Sequence, residues 1–286
     1  MFLIIGSIIV LASVFVGFVL GGGSLVLLWH PLEVVIICGA ALGSFVISNP
    51  PKVLKAVFAG MLGLFKGPRY KRSDYVDLFK LMYDLLMKAR KEGMLAIEAH
   101  VDEPASSAIF QRYPRILADK HMTEFMTDCL RLMVGGNLDP HELESLLEYE
   151  LETHHQEASE PAQALQRVAD ALPGFGIVAA VMGIISTMAS ISGSDIATIG
   201  ENVAAALVGT FIGILVAYGF VAPVSAAMEK RAAEESKAFE LVKMALVSSV
   251  RGYAPAVALE FARKLLYADV RPSFNDLGTE LKSARS

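Results

Sequence analysis

The chain has 286 residues, 54% of them hydrophobic and only 19% charged. An ordinary soluble domain carries about 25% charged residues, so the composition speaks against a soluble fold. Net charge is −5, which gives no argument for a nucleic-acid partner. All 25 Lys and Arg residues lie in 49–171 or 228–286, and none in 1–48 or 172–227.

Those two windows predict an all-α integral membrane protein with four transmembrane helices. A crossing helix needs about 20 mainly apolar residues. Phe2–Leu20 has no charge over 19 residues, and Leu32–Ser48 has one, Glu33, at its edge. Ala171–Ser194 and Asn202–Met228 are uncharged over 24 and 27 residues. Phe2–Leu20 lacks the basic flank of a signal peptide and reads as a retained span. The first hairpin turns through Gly21-Gly22-Gly23 to Pro31, the second around Gly193–Gly200, and neither link carries Lys or Arg. The positive-inside rule therefore puts both tips outside. The N-terminus, the central segment and the C-terminal tail then lie in the cytoplasm.

The expected organisation follows from this. Residues 1–48 form the first hairpin, 49–170 a large helical cytoplasmic domain, 171–227 the second hairpin, and 228–286 a C-terminal helix and tail. Within the central domain, the apolar stripe of 53–65, with Lys52, Lys55 and Lys66 beside it, suits a helix in the membrane interface and in contact with lipid. A second helix should start near Ser73 and stop at Gly93. A third should run over 116–134 and end at Gly135-Gly136. Asp139-Pro140-His141-Glu142 has the form of a capped helix start, leading an acidic helix to about Glu157. Ala226–Ser249 should carry the fourth span outward, and the chain beyond about Pro272 reads as loosely ordered.

The chemistry-bearing pattern is a lack. The last two spans hold no carboxylate, lysine or histidine, although an ion path normally needs such a group inside the bilayer. Either the chain conducts nothing or a partner helix supplies the group. Ala205, Gly209, Gly213 and Ala217 form a small-residue stripe on the fourth span, and Ala179, Gly183 and Thr187 another on the third. These stripes could serve only to pack the two spans together, or also line a shared channel with Thr187 and Thr210 offering hydroxyls. Pro173 could merely open a span, whereas Pro223 should kink one. Cys38 and Cys129 fall in a span and in a cytoplasmic helix, so no disulfide is expected. His154-His155 lack metal-site spacing and read as solvated, and nothing indicates an enzyme, a metal or a cofactor.

LPGFGIVAAVMGI (172–184), VGTFIGILVAYGFVAP (208–223), YPRILAD (113–119) and RPSF (271–274) closely resemble the MotA family of flagellar stator subunits, over essentially the whole chain. The resemblance implies a bacterial inner-membrane complex. In it, a homopentamer surrounds a dimer of MotB, which supplies the titrating aspartate and a peptidoglycan anchor. Ion flow would then drive the rotor protein FliG. By motif position, Arg90 and Glu98 match a charged pair at the rotor interface, with Glu150 on the same surface. Pro173 and Pro223 match the two prolines that couple ion flow to movement. Thr210 and Tyr218 match channel positions. Ala180 stands where sodium-type relatives carry threonine. It offers no oxygen to a sodium ion, so the coupling ion is expected to be a proton. The ExbB and TolQ energisers are the alternative class, but have three spans and lack the short first hairpin.

Overall fold

A computed structural model describes residues 2–136, 139–190 and 195–283. The end of the third expected span and part of the Gly193–Gly200 link lie outside the described residues. Twelve α-helices are described: α1 (Phe2–Leu20), α2 (Pro31–Ser48), α3 (Pro51–Leu64), α4 (Arg72–Glu92), α5 (Glu98–Asp102), α6 (Pro114–Ala118), α7 (Lys120–Val134), α8 (Pro140–Ser190), α9 (Ile196–Val216), α10 (Ala222–Val250), α11 (Pro255–Lys264) and α12 (Phe274–Ser283). Four helical stretches are long and apolar enough to cross a membrane: Leu3–Leu20, Leu25–Ser48, Pro140–Ala189 and Ile196–Val250.

The chain divides into two compact units, 1–67 with 158–231 and 68–157 with 232–286. The helices α8 and α10 each contribute residues to both. This grouping follows packing, whereas the expected boundaries at 170 and 228 follow membrane crossing.

The first unit holds the apolar helices. Ile37, Ala41, Leu172, Ala179 and Ala217 form one buried cluster. Phe45, Val53, Val57, Ala162, Leu165 and Met228 form another, where α2 turns into α3. Polar ties reinforce it: Ser225 Oγ donates to Ala162 O at 2.7 Å, Arg167 Nη2 to Asn49 Oδ1 at 3.1 Å, and Arg231 to the carbonyl of Gly63.

The second unit is a helical body around α4. Leu78, Phe79, Met82, Leu85 and Leu86 recur at helical spacing and are at most 1% exposed. They pack with Ile97, Phe110, Ile116, Met126, Leu147, Phe239 and Leu246. The helix stops where expected, at Gly93, whose φ of +90° suits a residue without Cβ.

Four expectations change. The third helix of the central domain is not continuous over 116–134, because Asp119 breaks it and caps α7, accepting from Met122 N at 3.3 Å. The acidic helix does not end near Glu157. It starts at Pro140 as expected, with Asp139 Oδ1 accepting from His141 N at 2.8 Å, and runs 51 residues to Ser190, through Pro161 and Pro173. Pro173 is therefore inside a helix and does not open one. The segment beyond Pro272 is ordered as α12: Leu277 and Leu281 are 3% and 6% exposed in the core, and Asp276 and Glu280 pair with Arg72 and Lys80.

Candidate functional site

The small-residue stripes meet each other. A Cβ built on Gly213 would lie 2.8 Å from Leu172 O and 3.1 Å from Gly176 Cα. One on Gly176 would lie 3.0 Å from Gly209 O and 3.2 Å from Thr210 Cα, and one on Gly183 3.0 Å from Ala206 Cβ. The third and fourth spans thus pack backbone to backbone along these glycines, which is the close approach small residues allow. The packing role of the stripes is real. Thr187 is 1% exposed and its hydroxyl donates to Gly183 O, one turn back at 2.8 Å, so within the chain it serves its own helix. Ala180 is 9% exposed, Thr210 partly buried, and Tyr218 62% exposed.

Glu33, which sits at the edge of the second apolar stretch, joins this seam. One carboxylate oxygen, Oε2, is buried with no hydrogen-bond partner, and a Cβ on Gly209 would lie 3.2 Å from it. The signal was available, since Glu33 is the one charge in the four apolar stretches read from the sequence.

The two prolines are accommodated differently. Just before Pro223 the helix widens into a π turn, Ala217–Val221, and the Ala222 N–H donates to Ala217 O, five residues back. Proline has no N–H for the carbonyl of Gly219, and a widened turn is one way a helix absorbs that loss. The expected disturbance at Pro223 takes this form. Pro173 leaves the carbonyl of Ala169 without its helical donor but does not end α8.

In the second unit, Arg90 sits in the last turn of α4 and Glu98 in the first turn of α5. Each sign suits its helix end. Both are exposed, and among the described residues no ion pair engages either side chain. Glu150 is an exposed residue of α8 whose carboxyl has its pKa raised, by partial burial first and then by Asp128 of α7. The helix α7 is tied to α5 by Arg131, which reaches Asp102 at 3.1 Å and Val101 O at 3.1 Å.

The YPRILAD segment has a structural explanation. Tyr113 OH donates to Asp84 at 2.8 Å and Arg115 pairs with Asp74 at 2.9 Å, both on α4. Asp119 accepts from Tyr70 OH at 2.6 Å and from Arg69 at 3.0 Å, and Arg69 continues to Glu235 at 3.3 Å. Burial, then the bond to Asp119, pushes the Tyr70 phenol far above its usual range.

His154 is not solvated, contrary to expectation. Its ring lies 4.1 Å from that of Phe239, centroid to centroid, and its Nδ1 is buried without a hydrogen-bond partner. Burial, followed by His121 and Arg69, lowers its pKa. His155 contacts Ser236 Oγ at 3.3 Å. No group of three or more metal-ligating side chains is found among the described residues.

Comparison with known proteins bears on the family and the fold. Residues 4–93 match the Motility protein A N-terminal family and residues 117–241 the MotA/TolQ/ExbB proton channel family. Motility protein A of Salmonella typhimurium is 43% identical over all of this chain and 97% of its own, and that of Escherichia coli gives the same figures. Chemotaxis protein LafT of Vibrio parahaemolyticus is 45% identical over 96% of this chain and 95% of its own. Among solved structures, the flagellar MotAB stator complex of Bacillus subtilis superposes with a TM-score of 0.68 at 25% identity, over 90% of this chain and 92% of that one. The Campylobacter jejuni MotAB structure gives 0.74 at 21% identity, over 95% and 98%, and so speaks to the fold alone. The chain is a multi-pass membrane protein and belongs to the motility protein A family of the MotA/TolQ/ExbB class.

Proposed function

We propose that this chain is the stator subunit of a bacterial flagellar motor. It forms with MotB a proton-conducting complex in the inner membrane and applies torque to FliG. The observation that carries the reading is 43% identity over the full chain to Motility protein A. The match of residues 4–93 to the N-terminal family favours the stator class over the ExbB and TolQ energisers.

The geometry supports a division of labour. The third and fourth spans are closed on each other by glycines and offer no carboxylate, lysine or histidine, so the titrating group comes from MotB. Protonation of its aspartate removes a charge and changes which contacts with the surrounding copies are favourable. A homopentamer of this chain around a MotB dimer would shift in response, with the π turn at Pro223 and the interrupted ladder at Pro173 as the compliant points. Both helices extend into the cytoplasmic body, where exposed Arg90, Glu98 and Glu150 meet the rotor. Each proton crossing about 100 mV makes about 2.3 kcal/mol available, so rotation takes many small steps. Exposed charge pairs worth roughly 0–1 kcal/mol each suit a contact that forms and releases quickly. Ala180, without an oxygen, favours proton over sodium.

Motility of a deletion strain complemented with this gene tests the reading. Swimming should persist without sodium and stop with a proton uncoupler. Swimming that survives the uncoupler and fails on sodium removal contradicts proton coupling.

A further inference from the structure

Helix α3 packs one face and leaves the other open. Val53 and Val57 are 2% and 1% exposed in the core of the first unit. Phe58, Leu62 and Phe65, on the far side, are 58%, 65% and 57% exposed. At 3.6 residues per turn, the exposed Lys55, Phe58 and Leu62 share an arc of about 60°, and the exposed Phe65 and Lys66 follow directly after the last helical residue, Leu64. No Asp or Glu occurs from Val34 to Ser73, so the sequence around this face carries positive charge only. Only Asn49 and Pro50 separate the helix from span α2, which ends at Ser48, so it starts where that span leaves off.

Two phenylalanines and a leucine in one outward stripe are costly in water, and lysines beside them are wrong for the acyl core. A stripe of this kind fits the boundary between acyl chains and headgroups, where each side chain finds its own medium. The sequence placed 53–65 in the membrane interface. The structure divides that stripe, sending Val57 inward and Phe58, Leu62 and Phe65 outward.

We propose that the outward face of α3 seats on the adjoining leaflet and selects anionic phospholipid, with Phe58, Leu62 and Phe65 in the acyl–headgroup boundary and Lys55 and Lys66 on lipid phosphates. The proposal rests on the chain being a membrane protein and is independent of torque generation. A zwitterionic headgroup presents the same phosphate with its charge cancelled, so the lysines supply the selectivity.

The test uses the full chain, purified with its partner subunit and placed in lipid nanodiscs. Trp29 is the sole tryptophan of this chain, so Trp29→Phe with Phe58→Trp, in a complex whose partner tryptophans are replaced by phenylalanine, puts the reporter on this face alone. Leu62→Trp provides a second reporter should the first disturb folding. Quenching is compared between acyl-brominated phosphatidylglycerol and acyl-brominated phosphatidylcholine, each at the same mole fraction in a mixture of both lipid types. The anionic lipid should quench as if enriched about fivefold around the face, and Lys55→Gln with Lys66→Gln should bring the two lipids level. Equal quenching with both lysines present overturns the selectivity. No quenching by either lipid overturns the seat itself and shows that another subunit covers α3. A strain that swims poorly gives neither result, so failure of the stator reading is distinguishable.

Discussion

At the residue scale, single atoms with no spare room or with several partners set the stability of each unit. Gly213 is the tightest point of the seam, since a Cβ there meets the backbone oxygen of Leu172 at 2.8 Å. Gly213→Ala should therefore destabilise the first unit by about 1–3 kcal/mol, the usual range for overpacking, read as a lower unfolding temperature in detergent. An unchanged temperature would show that the two spans can separate without loss. Asp119 should be equally sensitive, because it caps α7 and also holds Tyr70 and Arg69. Asp119→Ala removes the cap and strands a buried phenol, at a cost of about 2–4 kcal/mol. His154 makes the second unit pH-sensitive. Its folded pKa is lowered, so the unfolded chain takes up the proton first as pH drops below about 6.5. The stability that neutral His154 contributes is present above that value and lost as pH falls through its folded pKa. Denaturant midpoints across pH 5 to about 7.5 should show this slope, and His154→Gln should flatten it.

At the element scale, what the sequence disclosed depended on how local each signal was. The helix α4 was legible because its apolar period and Gly93 lie within one short stretch. The break at Asp119 was not, because an aspartate in an apolar period looks like a surface position until Tyr70 and Arg69 converge on it from 49 and 50 residues away. Pro173 could have opened a span, yet α8 passes both it and Pro161, and each proline removes one helical hydrogen bond without ending the helix. The helix α12 was missed because two leucines in ten residues are a weak pattern, and their burial depends on a core built from distant segments. That burial gives a prediction: Leu277→Ala should cost about 2–5 kcal/mol in the second unit. A chemical-denaturation midpoint left unmoved would mean that α12 is dispensable. The π turn before Pro223 gives another. Pro223→Ala restores the donor for Gly219, so membrane insertion and MotB binding should persist while torque falls sharply. Full torque on a viscous load would remove Pro223 from the coupling route.

At the scale of the whole molecule, the four spans and the helical central domain were readable from charge placement and apolar length alone. The site was not. Nothing in spacing distinguishes Arg90 or Glu98 from any solvated pair, and only the family resemblance singled them out. The structure adds that both are exposed and, among the described residues, engaged in no ion pair. Arg90→Glu should therefore leave the chain stable and inserted but impair swimming, and a compensating charge reversal on FliG should restore part of it. Glu33 shows the converse limit: its charge was visible in the sequence, but its place against Gly209 needed α2 and α9 to be packed together.

As proposed above, this chain surrounds an ion path whose titrating group belongs to MotB. Proton flux into liposomes under an imposed membrane potential tests it directly, with the purified chain alone and with MotB. Flux is expected only with MotB present, and none when MotB's titrating aspartate is replaced by asparagine. Proton conduction by the chain alone would contradict it.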